Sequence, residues 1–196
     1  MSKRLVKKIE FTEADEAKFG MFMLSRVADP AIEENFVWFS KTVNTNFSIQ
    51  NEEHRIIFGP VLVPDMLIYR NQGGEEYDLT VDAPTIERIA VNFFKNNRAN
   101  NVNDEHAPQI EKGFTIFQSI ITGDLVPTVK GYEHLPVGTL FMGAKVTDDN
   151  AWQEIKDGKF KGWSIHAAFR QVPVELMKHD DKEVEKLADK FFATFQ

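Results

Sequence analysis

The sequence predicts an α+β domain built on a mainly antiparallel sheet that closes into a β-barrel, flanked by a few helices. Three observations lead there. About eight short apolar runs, punctuated by Gly, Pro, Asn and Asp, read as strands. Only a few segments carry helical periodicity, and they do not alternate strictly with the strands, which argues against a parallel doubly wound sheet. Hydrophobic residues make up 42% of the 196 residues, 17 of them Phe, enough for one sizeable core.

The elements follow in order. Residues 1–18 mix basic and acidic side chains and read as a solvated arm or short helix. From Phe19 to Val27 the chain is apolar apart from Gly20 and Ser25, and Asp29-Pro30 breaks this strand. Phe36-Val37-Trp38-Phe39 is a second short strand. Residues 55–63 form a strong strand in which Gly59-Pro60 marks a bulge or an edge, because Pro cannot donate to a ladder. Asn71-Gln72-Gly73-Gly74 is a turn, so the segments around Tyr69 and Tyr77 form a hairpin.

Residues 82–97 are the clearest helix. Ile86, Ile89, Ala90, Phe93 and Phe94 recur at helical spacing, Asp82 can cap the first turn, and Pro84 suits it. Residues 102–106 are short and extended. In the next strand, from Gly113 to Thr122, alternation places Phe114, Ile116 and Gln118 on one face. Residues 138–146 are a strand bent at Gly143, and residues 148–156 a short helix with Trp152 and Ile155 inward. The strand from 161 to 174 follows. Residues 180–195 form an amphipathic helix whose Phe191, Phe192 and Phe195 pack on the barrel or, as the alternative, make a homodimer or dock on a partner. The chain thus divides into an arm (1–18), a barrel domain (19–178) and a C-terminal helix (179–196).

Composition removes several function classes. With no Cys there is no disulfide and no cysteine metal site. A net charge of −7 argues against nucleic acid as a partner, since phosphates demand a basic face. No apolar run is long enough to span a bilayer, and no apolar stretch follows the basic start to make a secretory signal. Neither Gly59-Pro60 nor Gly73-Gly74 belongs to a nucleotide-binding fingerprint, and the five histidines lack zinc spacing. No cofactor and no metal is expected.

Two positions can carry chemistry. Asn103-Asp104-Glu105-His106 puts a histidine at a strand end, where an imidazole titrating near neutrality can serve as a general base. In Gly162-Trp163-Ser164-Ile165-His166, strand alternation sets Ser164 and His166 on one face and Trp163 and Ile165 on the other. A serine there becomes a nucleophile when a base takes its proton and donors hold the oxyanion. Read singly, His106 is more readily a turn cap and Ser164 a small polar filler. The strand-to-helix elbow G-x-S-x-G is absent.

The order of the motifs adds more. Ala28-Asp29-Pro30-Ala31-Ile32, Gly59-Pro60-Val61-Leu62-Val63-Pro64-Asp65, the helix after Thr85 and Val102-Asn103-Asp104-Glu105-His106 occur in that sequence. Leu135-Pro136-Val137-Gly138-Thr139, Lys145-Val146-Thr147-Asp148-Asp149 and Gly162-Trp163-Ser164-Ile165 follow. This series, over about residues 25–172, resembles the phage serine proteases of head-assembly gene clusters, which belong with the prohead maturation proteases. The resemblance implies a fold like the herpesvirus assembly protease, a small barrel flanked by helices. It implies a serine endopeptidase with His106 as base and Ser164 as nucleophile. Its partners would be the phage scaffold and the major capsid protein, met inside the assembling prohead in the host cytoplasm, and it would often trim itself.

Two departures from the family pattern bear on the site. His166 and Ala167 stand where relatives commonly carry an acidic residue and Gly. Gln118-Ser119 stands where relatives tend to have Glu before a serine. The third catalytic member is therefore open among Gln118, Glu175 and His166. A non-enzymatic assembly or scaffold-like protein keeping the protease fold is the alternative reading.

Overall fold

The computed structural model describes residues 4–28, 37–38, 41–42 and 46–174. Within them lie thirteen strands: β1 (Leu5–Glu10), β2 (Gly20–Val27), β3 (Val37–Trp38), β4 (Lys41–Thr42), β5 (Ser48–Asn51), β6 (Ile56–Leu62), β7 (Ile68–Gln72), β8 (Glu75–Thr80), β9 (Val102–Asp104), β10 (Phe114–Ile121), β11 (Leu140–Val146), β12 (Gly162–Ala168) and β13 (Arg170–Pro173). Two α-helices accompany them, α1 (Ala83–Lys95) and α2 (Asp149–Lys156).

Among the described residues the strands form open sheets and no barrel. Two four-stranded sheets run β13-β1-β8-β7 and β10-β11-β6-β5, a three-stranded sheet runs β12-β2-β9, and β3 pairs with β4. Seven strand pairs are antiparallel; β1–β8 and β2–β9 are parallel. The expected closed barrel is thus corrected. Closure requires the first and last strands of one sheet to pair. Here the strands are shared among sheets that each keep two edges. β9, at one of those edges, is cut to three residues by the turn that follows Asp104.

The N-terminal segment also differs from its reading. Leu5–Glu10 is a central strand, paired with β13 on one side and β8 on the other. Its charges are held by neighbours: Lys7 pairs with Glu75 at 3.0 Å and Lys8 with Asp82 at 2.7 Å. The expected C-terminal helix and Glu175 lie outside the described residues.

Locally encoded elements formed as their residues dictate. Asp82 caps α1 by accepting from the Thr85 N–H at 2.9 Å, and Ile86, Ile89 and Phe93 are wholly buried. Asp148 caps α2 through the Ala151 N–H at 2.8 Å. Gly73 and Gly74, both at positive φ, make the two-residue turn between β7 and β8. The main core brings together Met21, Leu24, Ile57, Ile86, Phe93, Met142 and Trp163, so α1, the β12-β2-β9 sheet and the β6–β11 pair share one apolar interior. Trp163 also donates its indole N–H to the Met142 carbonyl at 3.3 Å, as a buried Trp must find an acceptor.

β10 departs from simple alternation. The register slips between Ile116 and Gln118, so Ile116 opposes Ala144 while Gln118 opposes Gly143. The extra residue is Phe117, half exposed at 52%. This bulge turns Gln118 away from the face it would have shared with Phe114 and Ile116.

Candidate active site

The site grows from the three-stranded sheet. Register sets Ser164 of β12 beside Ser25 of β2, and Ser25 beside Asn103 of β9. Side chains at paired positions project from the same face of a sheet, so these three polar groups form a row across it. Ser25 and Asn103 are wholly buried, whereas Ser164 retains 9% exposure.

His106 hangs over this row from a strained turn. The Ala107 N–H donates to the Asp104 carbonyl at 2.8 Å, and the two central residues, Glu105 and His106, take φ of 45° and 58°. Consecutive left-handed non-glycine residues cost about 1–2 kcal/mol each, and the surroundings must hold them. Two ties do so. The Glu105 N–H donates to the Arg26 carbonyl at 3.0 Å. The Arg26 guanidinium grips the Asp104 carboxylate with two bonds of 2.7 and 2.6 Å. Arg26 is itself buried between the Phe114 and Phe160 rings, 4.4 and 4.2 Å from their centroids.

The hydrogen bonds fix which nitrogen of His106 carries the proton. The Ala107 carbonyl can only accept, so it takes a proton from Asn103 Nδ2. That leaves Asn103 Oδ1 facing Ser25, whose hydroxyl donates to it at 2.5 Å. With its proton committed, Ser25 Oγ accepts from His106 Nδ1, 3.1 Å away. His106 is therefore protonated on Nδ1, and Nε2 keeps a free lone pair. Burial pushes the His106 pKa below its ordinary value, the charges of His166 and Arg70 push the same way, and Glu105 opposes them. The imidazole is thus neutral, as a base must be.

His106 and Ser164 line one cleft of about 390 Å³, together with Arg70 and apolar side chains of three sheets. No hydrogen bond joins His106 to Ser164 among the described residues. Such contacts commonly tighten only when substrate arrives.

The other candidates are placed differently. The His166 ring centre is 6.3 Å from that of His106, and its Nδ1 makes a long 3.4 Å contact with Asn103 Nδ2. Gln118 lies over Gly143 and beside Phe58, its Oε1 buried without a partner among the described residues. No described hydrogen bond links it to either histidine. Glu175 is outside the described residues. Two members of the cluster had no assigned role in the sequence. Ser25 showed only as the polar break in an apolar strand, and Asn103 only as a neighbour of His106.

Comparison with known proteins agrees with the chemistry of this cluster. No curated protein matches the chain, and no solved structure does. A family model described as "Putative phage serine protease XkdF" matches residues 43–173, a stretch that holds both His106 and Ser164 and more than half of the chain. The chain belongs to that family of phage serine proteases.

Proposed function

We propose that this chain is a serine endopeptidase of prohead maturation, with Ser164 as nucleophile and His106 as general base. Its substrates are scaffold protein or the scaffolding segment of the major capsid protein, and its own chain. It works inside the assembling prohead in the host cytoplasm. The resemblance of the ordered motifs to head-assembly proteases supports this substrate class, and the family membership supports the reaction type.

One observation carries the assignment of roles. Two serines neighbour His106 in the sheet, but only Ser164 faces the cleft; Ser25 is wholly buried with its proton given to Asn103. In the reaction His106 Nε2 takes the Ser164 hydroxyl proton as Oγ attacks the scissile carbonyl carbon. The same proton then passes to the leaving amine, and a water repeats the sequence to release the acyl group. Ser25 Oγ keeps the Nδ1 proton in place throughout, so the ring cannot turn its N–H toward the nucleophile.

This third group is neutral, unlike the carboxylate of the commoner triads. An imidazolium formed beside it, near Arg70 and His166, gains less stabilisation, so the base is weak but keeps Nε2 unprotonated at neutral pH. Co-expression with the phage scaffold and capsid proteins tests the proposal. The wild-type chain should shorten one of them and Ser164→Ala should not; cleavage that persists in Ser164→Ala contradicts it.

A further inference from the structure

The cleft contains a cation that has no counter-ion among the described residues. Of the seven arginines in the chain, Arg4, Arg26, Arg55 and Arg170 each pair with a carboxylate. Arg88 is exposed and donates to the Phe11 carbonyl. Arg98 donates to the Met21 carbonyl and to Asn92, and covers the Phe22 ring. Arg70 differs. It is half-buried on β7, and among the described residues its one hydrogen bond goes to the carbonyl of its own neighbour Tyr69, at 3.0 Å. A guanidinium carries five N–H donors in a rigid fork, so most of its capacity is unspent.

Leaving a cation partly desolvated and unpaired is unfavourable, and burial lowers the Arg70 pKa accordingly. Arg26, the most deeply buried arginine described, offsets that cost by pairing with Asp104. Arg70 instead lines the cleft that holds His106 and Ser164, beside Ile68, Leu79 and Phe169. The net charge of −7 supplies no general attraction for anions. An anion held here would be held by this one group and by the apolar wall around it.

We infer that Arg70 is a specificity-determining residue that receives a carboxylate of the peptide substrate, with apolar residues next to it in the cleft. The inference rests on the proposed active site and names its substrate chemistry. The carboxylate is an Asp or Glu side chain flanking the scissile bond, or the terminal carboxylate of a peptide. The fork geometry favours two parallel N–H···O bonds to such a group. A pair of this kind, sheltered from water, is worth roughly a ten- to hundredfold preference over the neutral amide.

Pooled acetyl-hexapeptide amides of Leu, Val and Ala, each with Glu, Gln or Lys at one scanned position, test this. A parallel Gln set carries a free C-terminus. Mass spectrometry reads cleavage by the wild-type chain and retention on immobilised Ser164→Ala chain. At one position the Glu peptides should be cleaved and retained roughly tenfold or more over the Gln peptides. Arg70→Glu, checked for folding by its melting curve, should move the preference to Lys. If the free C-terminus and not the Glu side chain confers the preference, the same site reads a chain end. Equal handling of Glu and Gln, and of free and amidated ends, overturns the inference without needing any variant. Cleavage that survives in Ser164→Ala would instead overturn the active-site assignment, while retention would still report on Arg70.

Discussion

Ser25 and Arg26 are consecutive residues of β2, both buried and both polar, yet they do opposite things. They project from opposite faces of the strand, and each holds the turn that carries His106. On the Arg26 face the arrangement is closed. The guanidinium meets Asp104 and sits between two aromatic rings, with no titratable base at its end. On the Ser25 face the arrangement is open. The hydrogen-bond chain in which His106 donates to Ser25 and Ser25 to Asn103 starts at a base whose Nε2 has no partner among the described residues. Buried polarity alone therefore does not mark a catalytic centre. The mark is a hydrogen-bond chain that terminates on a titratable group beside an accessible nucleophile.

The contrast can be broken by substitution. Ser164→Ala should reduce cleavage by about 10⁴-fold or more with the fold intact, since losing a nucleophile forfeits the whole covalent route. A melting curve and a cleavage assay on the same sample check this. Ser25→Ala should lower kcat by roughly 10²-fold, the scale of a mispositioned general base. Its KM should change little, and its unfolding midpoint should fall by less than that of Asp104→Ala. Asp104→Ala should show the reverse emphasis. It leaves the buried Arg26 charge only the longer 3.8 Å contact with Glu154 and should cost about 3 kcal/mol in urea unfolding. If Ser25→Ala proves the destabilising variant and Asp104→Ala the catalytic one, the two faces have been assigned the wrong way round.

The smallest expected effect concerns pH. His106 must be neutral to act, so kcat/KM should rise with pH through the pKa of His106 in the free chain. Burial sets that pKa below the ordinary histidine value, and the charges of His166 and Arg70 lower it further. Removing one of those charges relieves repulsion of the imidazolium, so His166→Ala should move the acid limb to higher pH. A limb that stays fixed would show that the His166 charge is not felt at the base. Asn103→Asp sharpens the same point: a carboxylate at the far end of the chain should stabilise the imidazolium and also raise the limb.

The parts of the molecule legible in the sequence are those specified by near neighbours. The Asp82 and Asp148 caps, the apolar stripe of α1 and the Gly73-Gly74 turn each depend on residues a few positions apart. Ser164 and His106 could be read only through an ordered series of motifs, because nothing next to either one requires catalysis. Ser25 was not legible as a partner at all. It meets Asn103 and His106 across separations of 78 and 81 residues, through a parallel β2–β9 pairing that no local pattern encodes. The same reason explains the barrel that did not form: closure depends on which edges pair across the whole chain. It also explains Gln118, whose face was reversed by one extra residue at Phe117.

The central claim is that Ser164, and not the better-bonded Ser25, is the nucleophile activated by His106. A fluorophosphonate probe followed by mass spectrometry of proteolytic fragments tests it directly. The label should fall on the fragment containing Ser164, should vanish in Ser164→Ala and His106→Ala, and should persist at a reduced rate in Ser25→Ala. Label on Ser25, or undiminished labelling without His106, would contradict the account.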